Sequence, residues 1–208
     1  MRLAILLSGR GSNFLAIHEA IARGELAAEI VAVLSNRPDA PGLARARELG
    51  YASHAVNHRA FANRAAHESE VLAVLAAANP DLVVLAGYMR LLGPQFLDAY
   101  RDRIVNIHPS LLPAFPGVDA QAQAIAHGVK ISGCTVHLVD EGLDAGPIVV
   151  QRAVPVLEND DASALAARIL VEEHAAYVEA LAKLARGYRV EGRRIVFSLR
   201  SAPTESAL

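Results

Sequence analysis

The chain has 208 residues, 53% hydrophobic and 20% charged, which is about one domain's length and apolar enough to bury a core, so disorder is excluded for most of it. Acidic and basic residues nearly cancel, 22 against 20, for a formal net charge of −2. That balance argues against nucleic acid or an anionic membrane as the main partner.

In chain order, Leu3–Leu7 is a continuous apolar run, the pattern of a strand buried on both faces. Asn13–Arg23 carries apolar residues at helical spacing (Phe14, Ile17, Ala20, Ile21), and Ile30–Leu34 is a second buried strand ending at Ser35-Asn36-Arg37-Pro38. Pro41–Leu49 is predicted helical and closed by Gly50, Arg59–Ala78 is a longer helix, and Leu82–Ala86 is a third buried strand. This alternation predicts an α/β domain with a mostly parallel central sheet and helices on both faces, whose ligands bind at the carboxyl ends of the strands. Further on, Ile104–Ile107 reads as a strand running into a loop stiffened by Pro109, Pro113 and Pro116. Gln121–His127 is a short helix, Ser132–Val139 and Ile148–Val156 are strands, and Asp161–Leu184 is a long amphipathic helix. Val190–Ser198 reads as a hairpin turning at Glu191-Gly192, and Ser201–Leu208 as a frayed tail. The expected organisation is a single domain over residues 1–200, with a phosphate-binding half at about 1–100 and a catalytic half at about 101–185. Cys134 is the only cysteine, which suits a reducing compartment. No apolar run approaches the roughly 18 residues of a membrane span, and Leu3–Leu7 is too short for a signal peptide, so the expected location is the cytoplasm.

Two segments carry chemistry. Ser8-Gly9-Arg10-Gly11-Ser12-Asn13 joins the first strand to the first helix, and its glycines, with Ser12 and Asn13 as candidate helix caps, suit a phosphate at a helix N-terminus. A dinucleotide fingerprint needs a glycine at position 14, which is Phe14, and an acid after the second strand, where Ser35-Asn36 stands. No Gly-Lys pair occurs, which excludes a P-loop and leaves one terminal phosphate as the expected ligand. Asn106 and His108, two apart on a strand, point the same way. An amide donor and an imidazole converging on one point suit an oxyanion at a carbonyl carbon. A nearby carboxylate favours a charged imidazole, and Asp144, in the glycine-flanked loop Asp140–Pro147, is the candidate. There is no Gly-x-Ser-x-Gly elbow, His-Glu-x-x-His or Cys-x-x-Cys, and His54 and His58 lack a third ligand, so no metal is expected.

These residues fall into blocks. Ser8–Asn13, Ala86-Gly87-Tyr88-Met89-Arg90-Leu91-Leu92, Asn106-Ile107-His108-Pro109-Ser110-Leu111-Leu112-Pro113 and His137–Pro147 follow one another within about residues 2–185. The series resembles the phosphoribosylglycinamide formyltransferases of the folate-dependent formyltransferase superfamily. The resemblance implies a Rossmann-like three-layer fold. It also implies transfer of a formyl group from 10-formyltetrahydrofolate to the glycine amine of N1-(5-phospho-D-ribosyl)glycinamide, a step of purine (IMP) biosynthesis. It puts the substrate phosphate on Gly11, Ser12 and Asn13, substrate contact at Pro109, and the ribose on Glu173 of Glu173-His174-x-x-Tyr177. The formyl donor would lie along Met89, Arg90, Leu91 and Leu92 and against Val139, Asp140 and Leu143, touching Asn106, with Arg64 near its acidic tail. Asn106 and His108 would stabilise the oxyanion, while Asp144 keeps His108 charged and helps arrange water for proton transfer. Partners would be these small molecules alone, acting on a monomer or homodimer, with no nucleic acid and no membrane. Val118-Asp119-Ala120-Gln121 departs from the family, whose members carry histidines there, and Leu170 and Val178 depart as well. The alternatives are a formyltetrahydrofolate hydrolase, whose members carry an added N-terminal domain where this chain's first strand begins at Arg2, and a non-catalytic ligand-binding relative.

Overall fold

Five consecutive residues, Leu3–Leu7, are fully buried, and that requires cover on both faces and a neighbour on both edges. A computed structural model describes residues 1–198 and supplies both; the tail expected at Ser201–Leu208 lies outside the described residues. The elements are β1 (Arg2–Leu7), α1 (Ser12–Ala22), β2 (Glu29–Ser35), α2 (Pro41–Glu48), β3 (Ser53–Ala55), α3 (Arg64–Ala78), β4 (Leu82–Leu85) and α4 (Pro94–Ala99). They continue with β5 (Ile104–His108), α5 (Ala120–His127), β6 (Ile131–Leu138), β7 (Ile148–Pro155), α6 (Ala162–Leu184), β8 (Tyr188–Glu191) and β9 (Arg194–Phe197). A seven-stranded sheet has the order β3-β2-β1-β4-β5-β6-β7. Strands β1 to β5 pair in parallel, while β6 and β7 are antiparallel. The alternation read from the sequence is therefore a mostly parallel α/β sheet with helices on both faces.

The pleat sorts β1 between two layers. Leu3, Ile5 and Leu7 pack with Phe14 and Ile17 of α1, Leu43 of α2 and Leu165, Ile169 and Tyr177 of α6. Ala4 and Leu6 face Val71 and Leu75 of α3 and Phe96 of α4. Each such buried leucine or isoleucine is worth about 1.5–3 kcal/mol of transfer free energy. Helix α6 is pinned as well as packed, because the Tyr177 hydroxyl lies 3.0 Å from the carbonyls of Leu85 on β4 and Val105 on β5. Glu173, one turn earlier, is thereby held over the strand ends.

Three expectations need correction. The helix expected over Arg59–Ala78 is two pieces, a 3-10 turn at His58–Ala60 and α3 from Arg64. Asn57 and Asn63 each cap locally, accepting from the N–H groups of Arg59 at 3.1 Å and Ala66 at 2.9 Å, and these bonds replace the continuous ladder. Helix α4, started by Gly93-Pro94, was not expected. The C-terminal hairpin turns at Gly192-Arg193, one residue later than read, with Gly192 in the left-handed region (φ 60).

Candidate active site

The loop after β1 makes a helix start without a side-chain cap. Gly11 is the N-cap residue, left-handed at φ 76, and neither Ser12 nor Asn13 caps α1 as expected. A Cβ on Gly11 would stand 2.9 Å from the Gly42 Cα, so the αL turn and the approach of α2 both demand glycine here. The first helical bond runs from Leu15 N–H to the Gly11 carbonyl. The N–H groups of Ser12, Asn13 and Phe14 thus have no acceptor within the helix, an anion-binding arrangement. Asn13 is turned inward instead, its Nδ2 donating to Glu173 Oε2 at 2.9 Å. Its Oδ1 is buried without a partner. Burial pushes the Glu173 carboxyl above its ordinary range; the Asn13 bond and the nearby His174 and His108 pull the other way without winning. One buried acceptor, Asn13 Oδ1, is therefore left without a donor beside the half-buried Glu173 carboxyl.

Strand β5 carries the second group. Asn106 pairs across the antiparallel ladder with His137 of β6, and His108 with Thr135, which brings all four side chains to one face. The His137 imidazole points Nδ1 at the Leu138 carbonyl, 2.9 Å away, and Nε2 at Asn106 Nδ2, 3.2 Å away. A neutral ring with its proton on Nδ1 satisfies both contacts, donating to the carbonyl and accepting from the amide. Burial pushes the His137 pKa down, in keeping with that tautomer. The amide orientation of Asn106 is thereby fixed, with one N–H bound and the second free to donate elsewhere.

His108 is buried between two acceptors. Its Nε2 donates to the Phe115 carbonyl at 2.8 Å, and its Nδ1 lies 3.4 Å from Asp144 Oδ2. Asp144 reaches this place because the β6–β7 connection folds back along the face and takes a left-handed turn at Asp144 itself (φ 49). The same Oδ2 accepts the Gly117 N–H at 2.8 Å, while Oδ1 stands 3.8 Å from His137, beyond bonding distance. Asn106, His108 and Asp144 thus come together as read from the sequence, and His137 joins them. The sequence reading assigned His137 no role, although its alternation with Thr135 on β6 was the available signal.

The remaining predicted residues surround this centre. Pro109 follows His108 directly and is half-buried. The Ser8 hydroxyl, at the end of β1, donates to Asn36 Oδ1 (2.6 Å) and accepts the Met89 N–H (2.8 Å), tying the segment after β4 to the ends of β1 and β2. That segment stands out from the surface, with Met89 78% and Leu91 68% exposed, and Leu143 of the β6–β7 connection is 59% exposed. Leu92 and Val139 pack at the edge of the second core layer. A cleft of about 290 Å³ beside them is lined by Leu97, Arg101, Asp102, Val139, Asp140, Glu141 and Gly142. Arg90 is half-buried near His67 and Tyr88. Arg64, at the start of α3, is half exposed and stands 3.7 Å from Glu68, apart from Asn106, His108 and Asp144. Among the described residues no group of three or more His, Cys, Asp or Glu is placed to hold a metal, and no helix is long and apolar enough to cross a membrane.

Comparison with known proteins gives a consistent picture. The formyl transferase family model matches residues 1–181. The chain is 48% identical over 189 residues to the trifunctional purine biosynthetic protein adenosine-3 of Drosophila melanogaster, covering 89% of this chain but only 14% of that protein's length. It is 42% identical over 177 residues to phosphoribosylglycinamide formyltransferase of Escherichia coli K12, covering 85% of this chain and 84% of that one. Among solved structures, glycinamide ribonucleotide transformylase 1 from Symbiobacterium toebii superposes with a TM-score of 0.92 at 47% identity, over 95% of this chain and 93% of that one.

Proposed function

The chain belongs to the formyl transferase family, and we propose that it moves a formyl group from a folate carrier, 10-formyltetrahydrofolate, to the amine of N1-(5-phospho-D-ribosyl)glycinamide in purine biosynthesis. The observation that carries this reading is the shared face of Asn106, His108, His137 and Asp144. It joins one free amide N–H, one imidazole N–H and a carboxylate at the carboxyl end of β5, where an oxygen taking on negative charge is stabilised.

The acceptor substrate fits the first group. Free N–H groups at the start of α1 suit a terminal phosphate, and a ribose hydroxyl supplies the donor that Asn13 Oδ1 lacks and can donate to the neighbouring Glu173 carboxyl as well. The donor fits the second. Met89, Leu91 and Leu143 offer exposed apolar surface and Val139–Gly142 line a cleft, as a flat conjugated ring system requires, and Arg64 and Arg90 offer guanidinium groups to its carboxylates. The carrier supplies an activated formyl group; the chain supplies positioning and charge. The amine attacks the formyl carbon to form the new C–N bond, and the tetrahedral adduct collapses by breaking the bond between that carbon and N10 of the carrier. The proton the amine gives up passes through water arranged by Asp144 to N10, and the carrier leaves as tetrahydrofolate. The second Nδ2–H of Asn106 hydrogen-bonds to the formyl oxygen, and the His108 Nε2–H shifts its hydrogen bond from the Phe115 carbonyl to the same oxygen. That exchange replaces one carbonyl acceptor with another and needs little desolvation. Asp144, 3.4 Å from the other ring nitrogen, orients the imidazole.

Purified protein given both substrates should release deformylated folate and N-formylated ribonucleotide in equal amounts. Folate release without the formylated product would make it a hydrolase. Tight binding without turnover would make it a ligand-binding relative.

A further inference from the structure

The segment proposed to receive the formyl donor is held by a residue that does not touch the reacting groups. Residues 88–93 leave β4, project Met89 and Leu91 outward and end at Gly93, the N-cap of α4. Gly93 offers α4 no side-chain cap. Its own N–H donates instead to Glu68 Oε1, 2.9 Å away on α3, across a buried contact. The Glu68 side chain is only 7% exposed, and its nearest guanidinium, Arg64, stands at 3.7 Å, too far for a hydrogen bond. A carboxylate in such a place is not held there by its ion pair alone. The fit around it is close, since a Cβ on Gly93 would come 2.6 Å from Glu68 Oε2. Tyr88, at the other end of the segment, has its hydroxyl pushed up to about 12 by burial, with Arg90 and Glu68 both close enough to act on it. The buried carboxylate thus bonds one end of the segment, acts on Tyr88 at the other, and stands 3.7 Å from the Arg64 guanidinium.

We propose that Glu68 is the positioning residue of the formyl-donor site: its bond to Gly93 fixes where Met89, Arg90 and Leu91 stand, and its carboxylate holds Arg64 on the same side. The proposal rests on the donor reading of residues 88–92. It has a directional consequence. The phosphate loop meets the segment at the opposite end from Gly93, where the Ser8 hydroxyl accepts the Met89 N–H at 2.8 Å, so loosening Gly93 disturbs the donor far more than the ribonucleotide.

The test is steady-state kinetics with each substrate varied in turn, on Glu68→Leu, Glu68→Gln and Gly93→Ala, beside melting curves. Glu68→Leu and Gly93→Ala should each raise the KM for 10-formyltetrahydrofolate by about tenfold or more, about what losing a hydrogen bond to a charged group amounts to. KM for the ribonucleotide should move less than twofold, and kcat less than threefold. Glu68→Gln keeps an oxygen for the Gly93 N–H and should stay within threefold of the parent. Equal effects on both KM values, no effect on either, or a Gln variant as impaired as the Leu variant would overturn the proposal. Should Glu68→Leu fail to fold, Gly93→Ala carries the same prediction through the same contact. A parent protein without turnover would instead strike at the functional reading itself.

Discussion

Asn106→Ala separates charge stabilisation from packing. The substitution removes a donor aimed at the developing oxyanion, a loss of about 10²–10³ in kcat. KM values should change little, because the interaction forms mainly in the transition state. It also orphans the His137 Nε2, whose side chain is 2% exposed. Losing the bond and leaving a buried acceptor unpaired amounts to about 1–3 kcal/mol. For a chain of this length that is a fall in Tm of about 2–12 °C. Asn106→Asp is the decisive companion. It keeps the shape, yet puts an oxygen opposite the Nε2 lone pair and opposite the growing negative charge, so it should lose more kcat than the alanine variant. Saturating both substrates and following folate absorbance gives kcat, and scanning fluorimetry gives Tm. A folded Asn106→Ala protein within threefold of parental kcat, or an aspartate variant faster than the alanine one, would refute the oxyanion argument.

Other expectations follow from the same geometry. Glu173 has its pKa raised by burial, so its contribution is fully present below the unfolded carboxylate pKa of about 4.3 and is lost as pH rises through the higher folded value. Glu173→Gln should therefore raise the apo protein's Tm near neutral pH and flatten its pH dependence, while weakening ribonucleotide binding by calorimetry. His137 is the opposite case. Its folded pKa is depressed, so its contribution is present above the unfolded value of about 6.5 and falls away as acidification carries pH down toward the folded one. Denaturant titrations from pH 7 to 5 should show that loss, and His137→Gln should remove most of it. Gly11→Ala combines a left-handed turn with a 2.9 Å approach to Gly42, and should lower stability by about 1–3 kcal/mol in urea melts. It should also raise the KM for the phosphorylated substrate alone.

Much of the parallel half was legible because strands buried on both faces read as unbroken apolar runs, as Leu3–Leu7 and Leu82–Leu85 do. Helix α4 has only six residues, too few to show a period, and the break before α3 rests on two asparagine caps that look like ordinary polar positions. In the site, Asn106 and His108 could be paired from strand parity alone. Pairing them with His137 needed the β5–β6 register, which no local pattern encodes. The cap expected of Asn13 fails for a related reason. As a residue type it suits a cap, but its amide is claimed by Glu173, 160 positions away, and the turn of Gly11 leaves it free to point inward. Long-range partners overrule local propensity where side chains are buried.

The site stands where the sheet changes direction, and each half of that change supplies something the other does not. Parallel pairing of β1, β4 and β5 brings loops and a helix N-terminus to one edge, which serves binding, since loops there have room to differ. It cannot press two side chains of neighbouring strands together as closely as an antiparallel ladder does at facing positions. The β5–β6 pair does this with Asn106 and His137, and the connection to β7 then folds back to deliver Asp144. On the proposed function, groups that meet developing charge are thus borne mainly on rigid strands, and groups that grip the ends of the substrates on loops and helix starts. Substitutions on the β5–β6 face should accordingly register in kcat and those in residues 8–13 or 88–93 in KM, a partition that follows from the topology and not from residue type.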